Sequence, residues 1–152
     1  MNIVLNLHQF NDQFVYFCEP IKNNIMNDSN FIRILYSTNN VILNGIYLLI
    51  TLNDIVCEKY YNKYKCIFNI NTPEHKDTIE QFKTIEENIL KIINIPNKIP
   101  QFKIYEQFKN GYIKLFQTIQ NKGNQKFILK ISGIWETAYN YGLTYKFIKI
   151  DN

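Results

Sequence analysis

The sequence predicts a mainly β domain with one central α-helix, and three observations carry that prediction. On both sides of the chain's midpoint, segments rich in Ile, Tyr, Phe and Lys alternate apolar and polar residues, the period of half-buried strands. Residues 72–93 alone switch to a spacing of three and four, the period of a helix packed along one stripe. Short segments containing Asn, Gly or Pro punctuate the alternating runs, as turns do.

At 152 residues the chain is long enough to bury a genuine core and reads as one domain, residues 1–152. Residues 1–30 read as an N-terminal arm or extra strands, with short extended runs at 2–10 and 14–18 and a polar, asparagine-rich connection at 19–30. Residues 31–36 and 41–52 read as strands joined by Ser37-Thr38-Asn39-Asn40. Asn44-Gly45 is either the true hairpin turn or a bulge within one long strand. Residues 58–70, EKYYNKYKCIFNI, read as the next strand.

The helix is the clearest single element. Thr72 suits its N-cap, Pro73 its first position, and Glu74 and Asp77 the positive end of its dipole. Ile79, Phe82, Ile85 or Glu86, Ile89, Leu90 and Ile93 form the stripe, and Pro96 and Pro100 prevent continuation. Its other face is acidic, so it is not expected to meet a polyanion. Beyond it, residues 101–109 and 112–119 flank Asn110-Gly111, a strong hairpin signal. Asn121-Lys122-Gly123-Asn124 reads as a second turn. Residues 126–135 and 142–150 then complete a four-strand meander. In the first of these runs Phe127, Leu129 and Ile131 share one face, and Ile128, Lys130 and Ser132 the other. Strands, one helix, then strands is the order of an OB-type barrel; the additional strands make it an elaborated one.

Charge narrows the partners. The net charge is +4, yet residues 98–152 alone hold nine basic and three acidic groups, a net of +6. A local basic field favours a polyanion, against the plainer reading of a solvated lysine surface. Ile and Asn supply 48 of 152 residues and lysine 16 of 17 basic ones, the bias of an A+T-rich coding sequence, which weakens the 15% aromatic content as a sign of stacking. The N-terminus lacks the features of a signal peptide, and the richest apolar run, 46–52, is far too short to span a membrane. Cys18, Cys57 and Cys66 are an odd number with neither metal-ligand spacing nor a close pairing, so a reducing, cytoplasmic setting is expected.

Catalytic chemistry is not expected. His8 and His75 are the only histidines, and His75, in the helix's first turn, reads as a surface residue. No phosphate loop, carboxylate pair or nucleophile elbow is present. No metal and no cofactor is expected. Binding is better supported. Residues 59–65 interleave Lys59, Lys63 and Lys65 with Tyr60, Tyr61 and Tyr64, supplying cations for phosphates and rings for base faces; the plain alternative is an edge strand guarded by lysines. Lys126, Lys130, Lys146, Tyr139, Tyr141 and Tyr145 repeat that mixture in the final stretch. Trp135, the sole tryptophan, reads either as a core plug or as a stacking platform.

Within that stretch, SGIWET followed by YGLTYKF resembles the closing strands of single-stranded DNA-binding proteins of large DNA viruses and of the cytoplasmic linear plasmids of yeasts. The resemblance spans residues 130–149 and rests on Gly133, Trp135, Gly142, Tyr145 and Lys146. It implies an OB-type barrel that protects displaced single strands during replication, with replication proteins or further copies of the chain as additional partners. Such proteins often end in an acidic tail that recruits partners; this chain ends at Asp151-Asn152. The expected partner is therefore single-stranded DNA with little sequence preference, RNA staying open and no membrane being involved. The alternative is a noncatalytic protein-interaction module or small subunit of a replication or transcription complex.

Overall fold

β-Branched and aromatic residues in alternation build the sheet, and one long and one short segment supply the α-helices. The computed structural model of the chain describes residues 3–22, 28–116 and 123–150. Its strands are β1 (Leu5–Asn6), β2 (Val15–Phe17), β3 (Ile21–Lys22), β4 (Asn30–Ser37), β5 (Ile42–Leu43), β6 (Ile46–Tyr60) and β7 (Lys63–Ile67). Helix α1 (Pro73–Ile93) follows, then β8 (Ile99–Gln101), helix α2 (Lys103–Lys109), β9 (Tyr112–Leu115), β10 (Gly123–Glu136) and β11 (Asn140–Lys149). The pairing is antiparallel except for β1 on β6 and β8 on β11.

Strand β10 is the hub. It pairs with β11 from Phe127–Lys149 to Glu136–Tyr141. A strand has two edges, so β6 and β4 share the other one end to end, β6 along 123–131 and β4 along 133–136. The register slips between Ile131 and Gly133, and this bulge re-aims β10 from one neighbour to the next. Beyond β6 the path continues to β7 and β9. Inward-facing Leu48, Ile50, Phe127, Leu129, Ile131 and Phe147 form one buried core with Phe82, Ile89 and Leu90 of α1. Phe82 also stacks on Phe108 of α2, ring centroids 4.8 Å apart.

Among the described residues two α-helices stand where one was expected. Residues 103–109 are helical, and Asn110-Gly111 ends that helix rather than turning a hairpin. Asn110 N–H donates to the Glu106 carbonyl, and Gly111 takes φ +78°, the left-handed conformation that glycine supplies at helix ends. The four-strand meander is corrected accordingly: β9 leaves to pair with β7, and of its described strands β10 and β11 alone pair with each other. Gly123, assigned above to a turn, already pairs with Ile55; residues 117–122 lie outside the described residues.

The expected strand over 58–70 is a hairpin. Residues up to Tyr60 belong to β6, Tyr61-Asn62 turn, and β7 begins at Lys63. Thr38–Val41 closes the β4–β5 hairpin, and Asn44-Gly45 separates β5 from β6, with Gly45 at φ +110°. The N-terminal segment is docked, not free: Tyr36 Oη accepts from Asn11 N–H and its ring contacts Phe10 and Phe14.

His75 is not at the surface but 1% exposed. Its Nδ1 sits 2.6 Å from the Asn69 carbonyl, and its Nε2 accepts from Asn53 N–H. Asn53 precedes Asp54, which has φ +53° and lies where the β6–β10 register shifts. The imidazole thus pins the bend of β6 to the first turn of α1, and both ring nitrogens are spent on backbone groups.

Candidate nucleic-acid interface

Strand alternation sorts the predicted residues by face. Tyr60 pairs with Lys63, Glu58 with Lys65, and Lys65 with Lys114, so these share the outer face of β6, β7 and β9. Lys59 and Tyr64 pair on the opposite face, where Tyr64 packs partly against the core. Across the molecule Tyr47, Lys130 and Lys146 stand side by side on β6, β10 and β11, again on the outer face.

The two groups meet at a seam. The path β11–β10–β6–β7–β9 curls so that its terminal strands line one cleft of about 160 Å³. Lys63, Lys114 and Lys146 line it with Phe116, Tyr145 and Gln107, and no acidic residue is among the lining. The strand edges here are joined by a side chain instead of a ladder. Gln107, from α2, accepts from Lys114 N–H on β9 and donates to Tyr145 Oη on β11. Burial, with the Glu86 charge close by, pushes the Tyr145 hydroxyl up to about 12. It therefore keeps its proton at neutral pH and can donate it to an anionic oxygen.

Two pairs of lysines flank this cleft, Lys130 opposite Lys146 and Lys65 opposite Lys114. Like charges directly opposite on a sheet are destabilising. The described ion pairs, Lys98–Glu136 and Lys103–Glu106, involve none of them. Instead the ammonium groups rest over rings: Lys65 over Tyr112 at 4.6 Å, Lys63 over Phe116 at 5.1 Å and Lys130 over Tyr47 at 5.5 Å. Paired strands lie about 4.8 Å apart, so Tyr47, Lys130 and Lys146 form one row on one side of the seam and Lys114 and Lys65 another on the other side. The two together make a track of cations and rings across the strands.

Other predicted residues stand apart from the track. Tyr61 occupies the hairpin turn, 82% exposed and at φ +56°, with its ring edge-on to Tyr60. Lys126 is exposed on the outer face of β10, roughly 13 Å along from Lys130 at strand rise. Tyr139 is exposed in the β10–β11 turn, while Tyr141 is buried in the core. Trp135 is neither plugged into the core nor fully open. Its indole lies over Gly142, where a Cβ would meet the ring at 2.8 Å, and Phe31 covers Gly133 in the same way.

Tyr47, Gln107, Tyr112, Lys114 and Phe116 were not anticipated. Alternation in YIKLF puts Tyr112, Lys114 and Phe116 on one face and could have revealed them; Gln107 carries no local signal. No protein-family model, curated protein or solved structure matches the chain.

Proposed function

We propose that the chain binds single-stranded nucleic acid with little sequence preference, along the track that crosses the seam. The carrying observation is the two opposed lysine pairs flanking a ring-lined cleft without acidic residues: a polyanion would relieve the repulsion between like charges set opposite one another. Against that repulsion the fold sets rings and, across from Lys65, Glu58. Lysines would follow the phosphates, while Tyr60, Tyr61 and Phe116 offer exposed rings to bases. The curled strand path supports reading the sheet as an elaborated OB-type barrel closed at the seam by Gln107. The resemblance of residues 130–149 adds DNA replication as the setting, and single-stranded DNA as the polymer.

The test is a titration with labelled oligo-dT and the matching duplex at several salt concentrations. Single strands should bind more tightly than duplex. Changing Lys63, Lys114 and Lys146 together to Gln should flatten the slope of log affinity against log salt by about two units, at about 0.7 per phosphate contact. An unchanged slope in a folded variant would return these lysines to a solvated surface and leave the protein-interaction module as the better reading.

Tyr61 gives a second check. Its positive φ costs a non-glycine residue roughly 1–2 kcal/mol, so Tyr61→Gly should leave folding unimpaired or stabilise it by up to about 1 kcal/mol. Binding should weaken by about 1–3 kcal/mol if the ring stacks. Opposite signs in a melting curve and a binding isotherm identify a residue kept for contact; unchanged binding would remove the hairpin tip from the site.

A further inference from the structure

Cys57 and Cys66 stand opposite one another on β6 and β7. Their sulfurs are in contact at 2.7 Å, both as free thiols, although their positions in the sequence suggested no pairing. The two-residue turn determines their geometry. Tyr60 and Lys63 flank it; the pair that closes a two-residue hairpin turn is of the hydrogen-bonded kind, and the pairs alternate from there. Three steps along, Cys57–Cys66 is a non-hydrogen-bonded pair. Such pairs hold their Cα atoms about 4.5 Å apart, within the roughly 4.4–6.8 Å that a disulfide spans. Access differs between them, since Cys57 is half-buried and Cys66 fully buried.

We propose that Cys57 and Cys66 form a modification site, a dithiol that a low-molecular-weight disulfide oxidises to a bond across the β6–β7 hairpin. The accessible Cys57 thiolate attacks one sulfur of the reagent, giving a mixed disulfide and expelling one thiolate, which takes up a proton. Cys66 then loses its proton and attacks Cys57 Sγ, expelling the second thiolate. Two protein thiols are oxidised and one small disulfide is reduced to two thiols. Burial and the neighbouring Cys57 push the Cys66 thiol up, against the opposing charge of Lys149. The bond would tie together the base of the hairpin that carries Tyr60, Tyr61 and Lys63. The chemistry itself does not depend on what that hairpin binds.

The experiment is to incubate the full chain with oxidised glutathione and determine its mass and its remaining alkylatable thiols. The expected product is two hydrogens lighter, carries no glutathione and keeps one thiol, at Cys18. Cys66→Ala should stop as a glutathione adduct on Cys57, and Cys57→Ala should gain no adduct at position 66. Three remaining thiols, a native chain that stops at the adduct, or a bond mapped to Cys18 would each overturn the proposal. The native chain's mass and peptide map decide the matter even if a variant does not fold.

Discussion

Replacing Glu86 with alanine is expected to destabilise the fold by about 3 kcal/mol, in line with two buried N–H groups each losing a partner worth about 1–3 kcal/mol. The carboxylate is 1% exposed and accepts from Ile104 N–H at 3.0 Å and Tyr105 N–H at 2.8 Å. Those are orphan donors in the first turn of α2, whose N-cap, Phe102, makes no side-chain cap. Glu87, one residue on, is exposed, and Glu87→Ala should change stability by no more than about 0.5 kcal/mol. Chemical denaturation of the two variants separates a tertiary cap from a merely acidic helix face.

The same residue gives a pH dependence of defined sign. Burial pushes the Glu86 carboxyl up to about 7, the two backbone donors pulling against it and the charges of Glu106 and Glu87 adding to it. Because its value is raised on folding, the folded state holds the proton more tightly. Its contribution is then fully present below the ordinary carboxylate range, near 4.5, and is lost as pH rises through about 7. The amount lost is on the order of 3 kcal/mol. Glu86→Gln should remove that part of the stability-versus-pH slope, as read from denaturation midpoints between pH 5 and 8; a slope identical to the native one would show that another group sets it.

Gly133→Ala should have a comparable or larger effect, about 3 kcal/mol or more, above the usual range for overpacking. An added Cβ would lie 2.4 Å from the Ile32 carbonyl oxygen and 2.5 Å from Phe31 Cζ. A ring can swing away, but the carbonyl belongs to the β4–β10 pairing. Adding Phe31→Ala should therefore recover only part of the loss. At Gly142 the nearest atoms are the Trp135 ring at 2.8 Å and the Gln101 carbonyl at 3.0 Å, so Gly142→Ala should cost less. Thermal melting of both variants tests the ranking, and equal losses would mean that the backbone contact does not dominate.

Alternation made β10, β11 and most of β4 and β6 readable, because their two faces differ in polarity residue by residue. Capping and periodicity did the same for α1. Residues 102–108 fit either period: Phe102, Ile104 and Phe108 suit a strand, Ile104 and Phe108 a helix turn. The deciding contact is Glu86, far earlier in the chain, and local pattern cannot register it. The β6–β7 turn escaped for a different reason. Tyr61 adopts a backbone conformation that tyrosine disfavours, so the turn carries no glycine signal. Missing it hid both the Cys57–Cys66 register and the separation of Tyr60 from Tyr64. Half of the candidate site was named from composition, as Lys63, Lys65, Lys130, Tyr145 and Lys146. The remainder depends on β9 and β11 meeting at the seam, a tertiary event to which periodicity is blind.

The hub position of β10 also dictates an order of assembly. While the chain is being synthesised, β4 and β6 emerge long before the strand that joins them: Arg33 pairs with Gly133, and Ile46 with Ile131. Until then each exposes an apolar edge with no ladder to complete, the kind of intermediate that invites off-pathway association. Pairings this distant in sequence also slow folding through the entropy of closing large loops. The N-terminal strands can dock early, β2 on β4 and β1 on β6, but they take the opposite edges. Leu48 and Leu49 pair with both β1 and β10, so the edges that wait for β10 stay open. A nascent chain stalled before residue 123 is expected to be sensitive to protease across β4 and β6, and one released after β11 to be resistant.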